Sequence, residues 1–384
     1  MRILLVPNTY HPILGGVQTA THNLAQNLLK SGHEVQVVTN RYPRSLPARE
    51  VIDGVSIRRL LFLSTSIDTL KRGRADLFLA SFYVYPSSLY RLRNLMRRFR
   101  PDVVNVHFPD HQSRFVLALR RRFKFRLVVS LHGDEIERSV TAGSLQSILR
   151  AADAVTACSQ HLLDQAIRLA PAITTKAHVV HNGIDLNRFV DKNEHFHPRP
   201  YALAFGRLTH KKGFDLLLKA FAQSAAEEPD IDLIIAGEGE EQQALIQQAR
   251  QLGLERRVHF RGQANPEEVV RLLNGCRFVV VPSRREPFGI VALEALAAGK
   301  PLLATRTGGL AEFLTRFGET NNPSEQSRGP GPPVLLVKPD AKDLAGGLRQ
   351  ICELSRNDSR ARYLISDQYS WEHVARCYLN IFSA

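Results

Sequence analysis

Two doubly wound parallel α/β units are what the sequence predicts, and three observations predict them. Short apolar runs alternate with helical stretches along most of the chain, the order expected of strand, crossover helix and next parallel strand. The series that opens at Arg2 starts afresh at Tyr201. A length of 384 residues, 44% hydrophobic, suffices for two cores of ordinary domain size.

In the first series, residues 2–7 form a short apolar strand that leads into a loop carrying Gly15 and Gly16. Val17, Leu24 and Leu28 follow at helical spacing, Gly32 can close that helix in a left-handed conformation, and residues 34–39 alternate as a second strand. Buried strands are expected at 103–107, 127–131, 154–158 and 178–181. In the second series, strands are expected at 202–205, 233–236, 258–260, 278–282 and 302–304, with helices at 214–225, 241–252, 266–274 and 289–298. A short polar segment with two prolines separates the series. The expected domains are therefore 1–190 and 201–368, joined by a linker at 191–200, with a final amphipathic helix in 369–384. Residues 318–333 contain no large apolar side chain and read as a loop with no core to join.

Several classes of protein are excluded or disfavoured early. No apolar run approaches the roughly 18–20 residues of a membrane span, and the opening MRILLVP lacks the length and cleavage site of a signal peptide. Cys158, Cys276, Cys352 and Cys377 occur singly, without the spacing of a disulfide framework or zinc site, so a reducing cytoplasm is expected. Gly15-Gly16 is not the G-x-G-x-x-G turn of a dinucleotide-dependent dehydrogenase. The charge is uneven. Residues 1–190 carry 26 basic and 13 acidic side chains and residues 191–384 carry 25 and 24, so nearly all of the net +14 lies in the first half. Such asymmetry points to an anionic partner.

Ligands of parallel sheets bind beyond the carboxyl ends of the strands, so the loops after each strand hold the candidates. At Gly15-Gly16 the backbone can approach a phosphate at a helix start, although a tight turn would need the same glycines. In the loop 206–213, Arg207 and Lys212 stand five apart beside a glycine and can converge on a diphosphate, Arg as a planar fork and Lys as a compact charge; a solvated basic loop would look the same. Glu286 and Glu294 are eight apart across a strand-to-helix junction, and Phe288, Gly289 and Ile290 present backbone N–H groups at the helix start. Carboxylates beside an anion site suit hydroxyls, not the phosphate, and a diphosphate flanked by two polyols is a sugar nucleotide. A merely favourable position at the positive end of the helix, worth roughly 0.3–1 kcal/mol, accounts for Glu286 better than for Glu294, which lies deeper in an apolar helix.

With these residues in view, the chain resembles the retaining glycosyltransferases of family 4, whose GT-B fold has two facing Rossmann-like domains with a donor cleft between them. The resemblance runs through HPILGG, GHEVQVVT, HGD at 132–134, HNGID at 181–185, GRLTHKKGFDLLLKAF, AGEGEE and EPFGIVALEALAAGKPLLATRTGG, the last containing the family's Glu-x7-Glu motif. It implies that Arg207 and Lys212 grip the donor diphosphate, aided by N–H groups at Phe288, Gly289, Ile290 and Gly16. It implies that Glu294 binds the ribose, that Glu286 contacts the hydroxyls of the transferred sugar, and that His132 is the active-site histidine approaching that sugar. The donor is a UDP-sugar or a GDP-sugar. Retention implies a same-face displacement in which the leaving phosphate helps to deprotonate the acceptor.

Fixed positive groups and helix dipoles can stabilise the departing diphosphate without an essential metal or other cofactor. The Asp-x-Asp at 230–232 precedes its strand, at the end away from the expected cleft, and is not read as a metal site.

In the resembled family the N-terminal domain faces the acceptor, and here that domain carries the charge. The arginines of 91–100 and 120–126 suit an anionic membrane surface at roughly 1 kcal/mol each, so the expectation is a cytoplasmic enzyme, peripheral at the membrane, with a lipid-linked or other glycan acceptor. A sugar-nucleotide hydrolase or epimerase on the same fold is the alternative. Nucleic acid is not an expected partner, because the basic runs lack a binding motif or a series of interleaved exposed aromatics.

Overall fold

The computed structural model describes residues 1–384 except 14, 64–74, 138–141, 191–192, 225–229, 318–332 and 358–366. Two compact units divide the chain: 1–183 with 371–384, and 184–370.

The first unit contains β1 (Arg2–Pro7), α1 (Gly16–Lys30), β2 (Glu34–Asn40), β3 (Arg49–Ile52), β4 (Val55–Leu60), α2 (Ala75–Phe99) and β5 (Val103–His107). It continues with α3 (His111–Arg120), β6 (Arg126–Leu131), α4 (Asp134–Glu137), α5 (Ala142–Ala151), β7 (Ala154–Ala157), α6 (Gln160–Leu169) and β8 (Ala177–Val179). The strands form one sheet in the order β3-β4-β2-β1-β5-β6-β7-β8, parallel throughout except for the antiparallel β3–β4 pair. The β3–β4 hairpin was not expected. Its turn residues Asp53 and Gly54 both have positive φ (48° and 81°), which suits a primed two-residue turn, but β3 is half exposed and has no apolar run to reveal it.

The second unit contains β9 (Tyr201–Phe205), α7 (Phe214–Ser224), β10 (Asp232–Ala236), α8 (Gln242–Gln251), β11 (Val258–Phe260) and α9 (Pro266–Gly275). After these come β12 (Phe278–Val281), α10 (Ile290–Ala297), β13 (Leu302–Thr305), α11 (Gly308–Thr315), β14 (Val334–Val337) and α12 (Ala341–Asn357). The order β11-β10-β9-β12-β13-β14, all parallel, is that of a Rossmann-like sheet. Its central strands are buried on both faces, and Ala202, Leu233, Ile235, Phe278, Val280 and Leu303 share one core with Phe221 of α7. Both units are thus the α/β architecture expected from the strand and helix alternation.

The last helix, α13 (Trp371–Ser383), belongs to the first unit. Trp371, Val374, Tyr378 and Phe382 fill the core formed by Ile3, Leu24, Leu28, Val37 and Val103. The division between units falls after Gly183, earlier than the expected boundary at 190, and the expected linker 191–200 is part of the second unit. Its residues are tied to that sheet: His195 N–H donates to Arg271 O (2.9 Å), Asn274 Nδ2 to Asn193 O (3.1 Å), and Asp232 N–H to Pro200 O (2.9 Å). Polarity and prolines had marked a linker, but these backbone groups are paired and anchor the segment.

Asp232 is the anchor's centre. Its carboxylate is 3% exposed, with His197 Nε2 at 2.9 Å, His259 Nε2 at 3.2 Å and Arg199 Nη1 at 3.5 Å. Replacing Asp232 with Ala removes the shared counter-charge of this partly buried cluster and is expected to lower unfolding stability by about 3–5 kcal/mol. Urea denaturation checks this; a change below about 0.5 kcal/mol would assign the cluster no more weight than an ordinary surface position.

The segment 318–333 lies outside the described residues except for Pro333, whose carbonyl accepts from Leu302 N–H at 2.9 Å. No helix among the described residues is long and apolar enough to cross a membrane.

Candidate active site

In the second unit, β9 and β12 are adjacent parallel strands, so the loops leaving their carboxyl ends emerge side by side. The first is 206–213 and the second 282–289. Arg284 stitches them together. Its backbone N–H donates to Lys211 O (2.8 Å), and its guanidinium donates to Asp215 Oδ1 and Oδ2 at 2.5 and 2.7 Å, a bidentate pair. Burial pushes the Asp215 carboxyl up, but the Arg284 bonds outweigh it and hold the group below its ordinary value. Gly213 makes the close approach possible. It has φ +68°, and an added Cβ would lie 2.1 Å from Pro282 O.

On this frame Lys212 Nζ donates to Glu286 Oε2 at 2.5 Å, and Ser283 Oγ donates to the same oxygen at 3.2 Å. Glu286 is 9% exposed, and the Lys212 side chain is 22% exposed. Arg207, at the start of the loop, is exposed. A cation and a carboxylate are therefore held in contact, with a second cation in the same short loop. Such a set can neutralise a diphosphate and accept hydrogen bonds from hydroxyls.

Gly289 precedes α10 with φ +101°, and an added Cβ there would meet Leu310 Cδ1 at 2.5 Å. This turn starts α10 just after Glu286, so the first-turn N–H groups, which have no partner within the helix, fall next to the carboxylate. The Phe288 ring does not face the ligand side; it is buried against Phe313 at a centroid distance of 5.0 Å, so its candidate contribution is its backbone. Ile290 and Glu294 lie one turn apart on α10. Glu294 has Arg188 Nη1 at 3.8 Å and is 16% exposed. Burial raises its carboxyl to about 7, with Arg188 pulling the other way.

In the first unit, Gly16 opens α1 beyond the carboxyl end of β1, and His132 follows the carboxyl end of β6. The adjacent strand β5 ends at His107, whose Nδ1 is 3.1 Å from His132 Nε2. Burial lowers the His132 imidazole to about 4, and burial together with His132 lowers His107 well below the ordinary histidine value. Both rings are neutral near pH 7, so one donates to the other. The backbone N–H groups of His132 and Gly133 both donate to the Glu135 carboxylate, the second at 2.8 Å. Burial raises Glu135 to about 7 against the opposing pull of those donors. Below lies a buried polar chain: Tyr378 Oη and Thr156 Oγ1 donate to Ser130 Oγ (3.2 and 2.9 Å), which donates to Asn105 Oδ1 (2.9 Å). His132 is thus held at the ends of two adjacent strands, by His107 and by the turn through Gly133 (φ +130°) to Glu135.

The structure brings Lys212 and Glu286 into direct contact and puts Arg207, Phe288 and Gly289 on the same two adjacent loops of the second unit, with Ile290 and Glu294 on the helix α10 that follows. His132 and Gly16 sit at strand ends of the other. Sequence reasoning missed His107, Glu135, Asp215, Arg284 and Arg188. Glu135 had a local signal, a carboxylate three residues after His132, as in a capping box; His107 had none, because its proximity arises from strand pairing.

Among the described residues, His197, Asp232 and His259 are the set whose ligand atoms could hold a metal ion, all within 4.8 Å of one another. Arg199 and Arg257 lie at 3.5 and 3.9 Å from the other carboxylate oxygen, so the charge of Asp232 is already matched. The cluster also sits at the amino end of β10, away from the ligand end of the sheet.

Known proteins resemble the chain over its whole length. The sequence model described as Glycosyl transferases group 1 matches residues 187–365, and that described as Glycosyltransferase Family 4 matches residues 14–188. A glycogen synthase of Mycobacterium tuberculosis is 29% identical over 414 aligned positions, covering 100% of this chain and 95% of that protein. An N-acetyl-alpha-D-glucosaminyl L-malate synthase of Bacillus anthracis is 25% identical, covering 97% and 95%. Among solved structures, sucrose-phosphate synthase from Thermosynechococcus elongatus superposes with a TM-score of 0.73 at 20% identity, covering 100% of both chains. The catalytic domain of starch synthase IV from Arabidopsis thaliana, bound to ADP and acarbose, gives 0.73 at 14% identity, covering 99% of this chain and 98% of that one.

Proposed function

The chain belongs to the family 4, group 1 glycosyltransferases, and from that premise we propose that it moves a sugar from a nucleoside-diphosphate sugar to an acceptor hydroxyl with retention at the anomeric carbon. The observation that carries this reading is the Lys212–Glu286 contact at the start of α10, on two loops locked together by Arg284 and Asp215.

In this reading Arg207 and Lys212 bind the diphosphate, and the N–H groups at Phe288, Gly289, Ile290 and Gly16 add fixed dipoles. As the bond from the anomeric carbon to the phosphate oxygen breaks, negative charge gathers on the β-phosphate, where these groups stabilise it. Glu286 accepts from hydroxyls of the transferred sugar while keeping Lys212 aimed at the phosphate. Glu294 accepts from the ribose. His132, neutral, hydrogen-bonds the transferred sugar. The acceptor oxygen bonds to the anomeric carbon on the face the diphosphate leaves, and its proton passes to the departing phosphate oxygen. None of these steps calls for a cofactor.

The acceptor is a glycan or lipid-linked hydroxyl reached from the basic first unit, which would place the enzyme in the cytoplasm at a membrane surface. Incubating the protein with UDP- and GDP-sugars and both acceptor types, with mass spectrometry of released nucleotide and product, tests the proposal. Free sugar in place of a glycosylated product would favour a sugar-nucleotide hydrolase.

Glu294 also sets a pH dependence. If its carboxylate accepts from the ribose, the donor prefers the ionised form, whose proton leaves at about 7. Donor affinity is then expected to rise by up to about tenfold per pH unit below that value and to level off above it. Titration calorimetry across that range should show the slope in the wild type and none in Glu294→Gln; equal slopes would remove Glu294 from the donor site.

A further inference from the structure

Beside the sheet edge of the first unit lies a cavity of about 450 Å3 between the β3–β4 hairpin and the last turns of α2. Its size falls within the roughly 300–1,000 Å3 of small-molecule sites. The chemistry of its walls is one-sided. Arg49 and Arg58 face each other across the antiparallel β3–β4 pair. Arg91 and Arg98, seven residues apart on α2, supply the opposite wall with Asn94 between them, and Gln36 of β2 completes the polar lining.

Among the described residues, no carboxylate lines the cavity. Arg59, also in the lining, is already occupied: it is buried, paired with Glu50, and its Nη2 donates to His11 O at 2.5 Å. By contrast, Arg49, Arg58, Arg91 and Arg98 have no ion-pair partner among the described residues. Burial, then Arg49 and Arg98, pull the Arg58 guanidinium below its ordinary value, the mark of like charges held close without a counter-charge.

Like charges gathered in a concave site are unfavourable unless something anionic is bound, and planar guanidinium forks match phosphate oxygens two at a time. We propose that Arg49, Arg58, Arg91 and Arg98 form a second anion site, separate from the donor loops, that binds a phosphate monoester or diphosphate group. The site belongs to the β3–β4 edge of the first sheet and shares no residue with the donor loops: its lining runs from Gln36 near the start of β2 to Arg58, Arg59 and Leu60 in the carboxyl-terminal half of β4, with the last turns of α2 against it. A smaller adjoining cavity shares Arg59 and Arg91 and is bordered by Tyr83. The phosphate can belong to a soluble metabolite or to a lipid headgroup; α2 also exposes Leu79, Phe82, Tyr83 and Tyr90, which suits the second source.

Pyrophosphate is the probe, titrated calorimetrically into full-length chain carrying Arg207→Ala and Lys212→Ala, so that the donor loop does not contribute. Saturable binding is expected, weakening with salt, and weakening by roughly tenfold or more for each of Arg49→Gln, Arg58→Gln and Arg98→Gln. Removing mutually repelling charges should leave the melting temperature unchanged or higher, which separates lost binding from lost folding; Arg49, Arg91 and Arg98 are all exposed, so their Gln variants carry little structural burden. Absent binding, or affinity indifferent to the arginines, would overturn the proposal. Sedimentation with phosphatidylcholine vesicles, with and without phosphatidic acid, then assigns the source. Arginine-dependent binding to the phosphatidic acid vesicles identifies a lipid headgroup, and pyrophosphate binding without vesicle binding identifies a soluble phosphate. Donor turnover is measured separately, so failure of this site leaves the transferase reading standing.

Discussion

Replacing Lys212 with Ala is expected to lower kcat/KM for the donor by about 10²–10³, the range for losing one group that stabilises developing charge in a transition state. The loss should appear in kcat as well as in donor affinity, because charge on the departing β-phosphate is greatest when the glycosidic bond is broken. The Lys212–Glu286 contact makes the experiment two-sided. With the ammonium gone, Glu286 Oε2 keeps Ser283 Oγ as partner in a site that is 9% exposed, and an unfolding cost of about 1–3 kcal/mol follows. Glu286→Gln removes the carboxylate charge while leaving a hydrogen-bonding side chain beside Lys212, so it should cost turnover with a smaller change in stability. Denaturation curves recorded with steady-state kinetics separate the two effects. Kinetics unchanged in Lys212→Ala would take this residue out of the donor site whatever the stability result.

The second large effect belongs to His132. Its Ala variant is expected to lose about 10²-fold or more in kcat while nucleoside-diphosphate affinity changes little, since in the proposed reading the ring serves the transferred sugar and the nucleotide is held mainly by the other unit. The neutral state of the ring carries a further expectation. Burial lowers the imidazole to about 4, so protonation would require acidity well below neutrality, and kcat should show no histidine ionisation between about pH 6 and 8. A kcat profile with an inflection near 6.5 that vanishes in the variant would mean that His132 titrates as an ordinary histidine.

The reach of the amino-acid sequence differs between fold and site for a physical reason. Strands such as Val103–His107 and Phe278–Val281 are buried on both faces and flanked by helical periodicity, so composition alone marks them. The β3–β4 hairpin escaped because its first strand is polar and half exposed, and α2 was read only at its arginine-rich end because Pro86 interrupts it. The division between compact units falls a few residues before the expected boundary for a related reason. Residues 193–200 look like a linker, but their backbone groups bond to α9 and β10, and a single carboxylate, Asp232, gathers the histidines.

At the site, Lys212, Glu286 and Glu294 were legible because loop, strand and helix junctions are local, and the family resemblance supplied roles for them. Their partners were not. Arg284 meets Asp215, Arg188 meets Glu294, and His107 meets His132 only through strand adjacency or loop crossing, and sequence separation hides such contacts. The charge was legible as belonging to the first half and in part to the arginines of 91–100, but not as a cavity, because Arg91 and Arg98 of α2 meet Arg49 and Arg58 only through the fold.

The central claim is that the second unit binds a nucleoside diphosphate through Arg207 and Lys212. Calorimetric titration of UDP and GDP into the wild-type chain and into the Arg207→Ala/Lys212→Ala variant tests it most directly. Saturable binding of at least one nucleotide to the wild type is predicted, weakened by roughly 100-fold or more in the variant. Equal affinity in both proteins, or no binding of either nucleotide to the wild type, would contradict the claim.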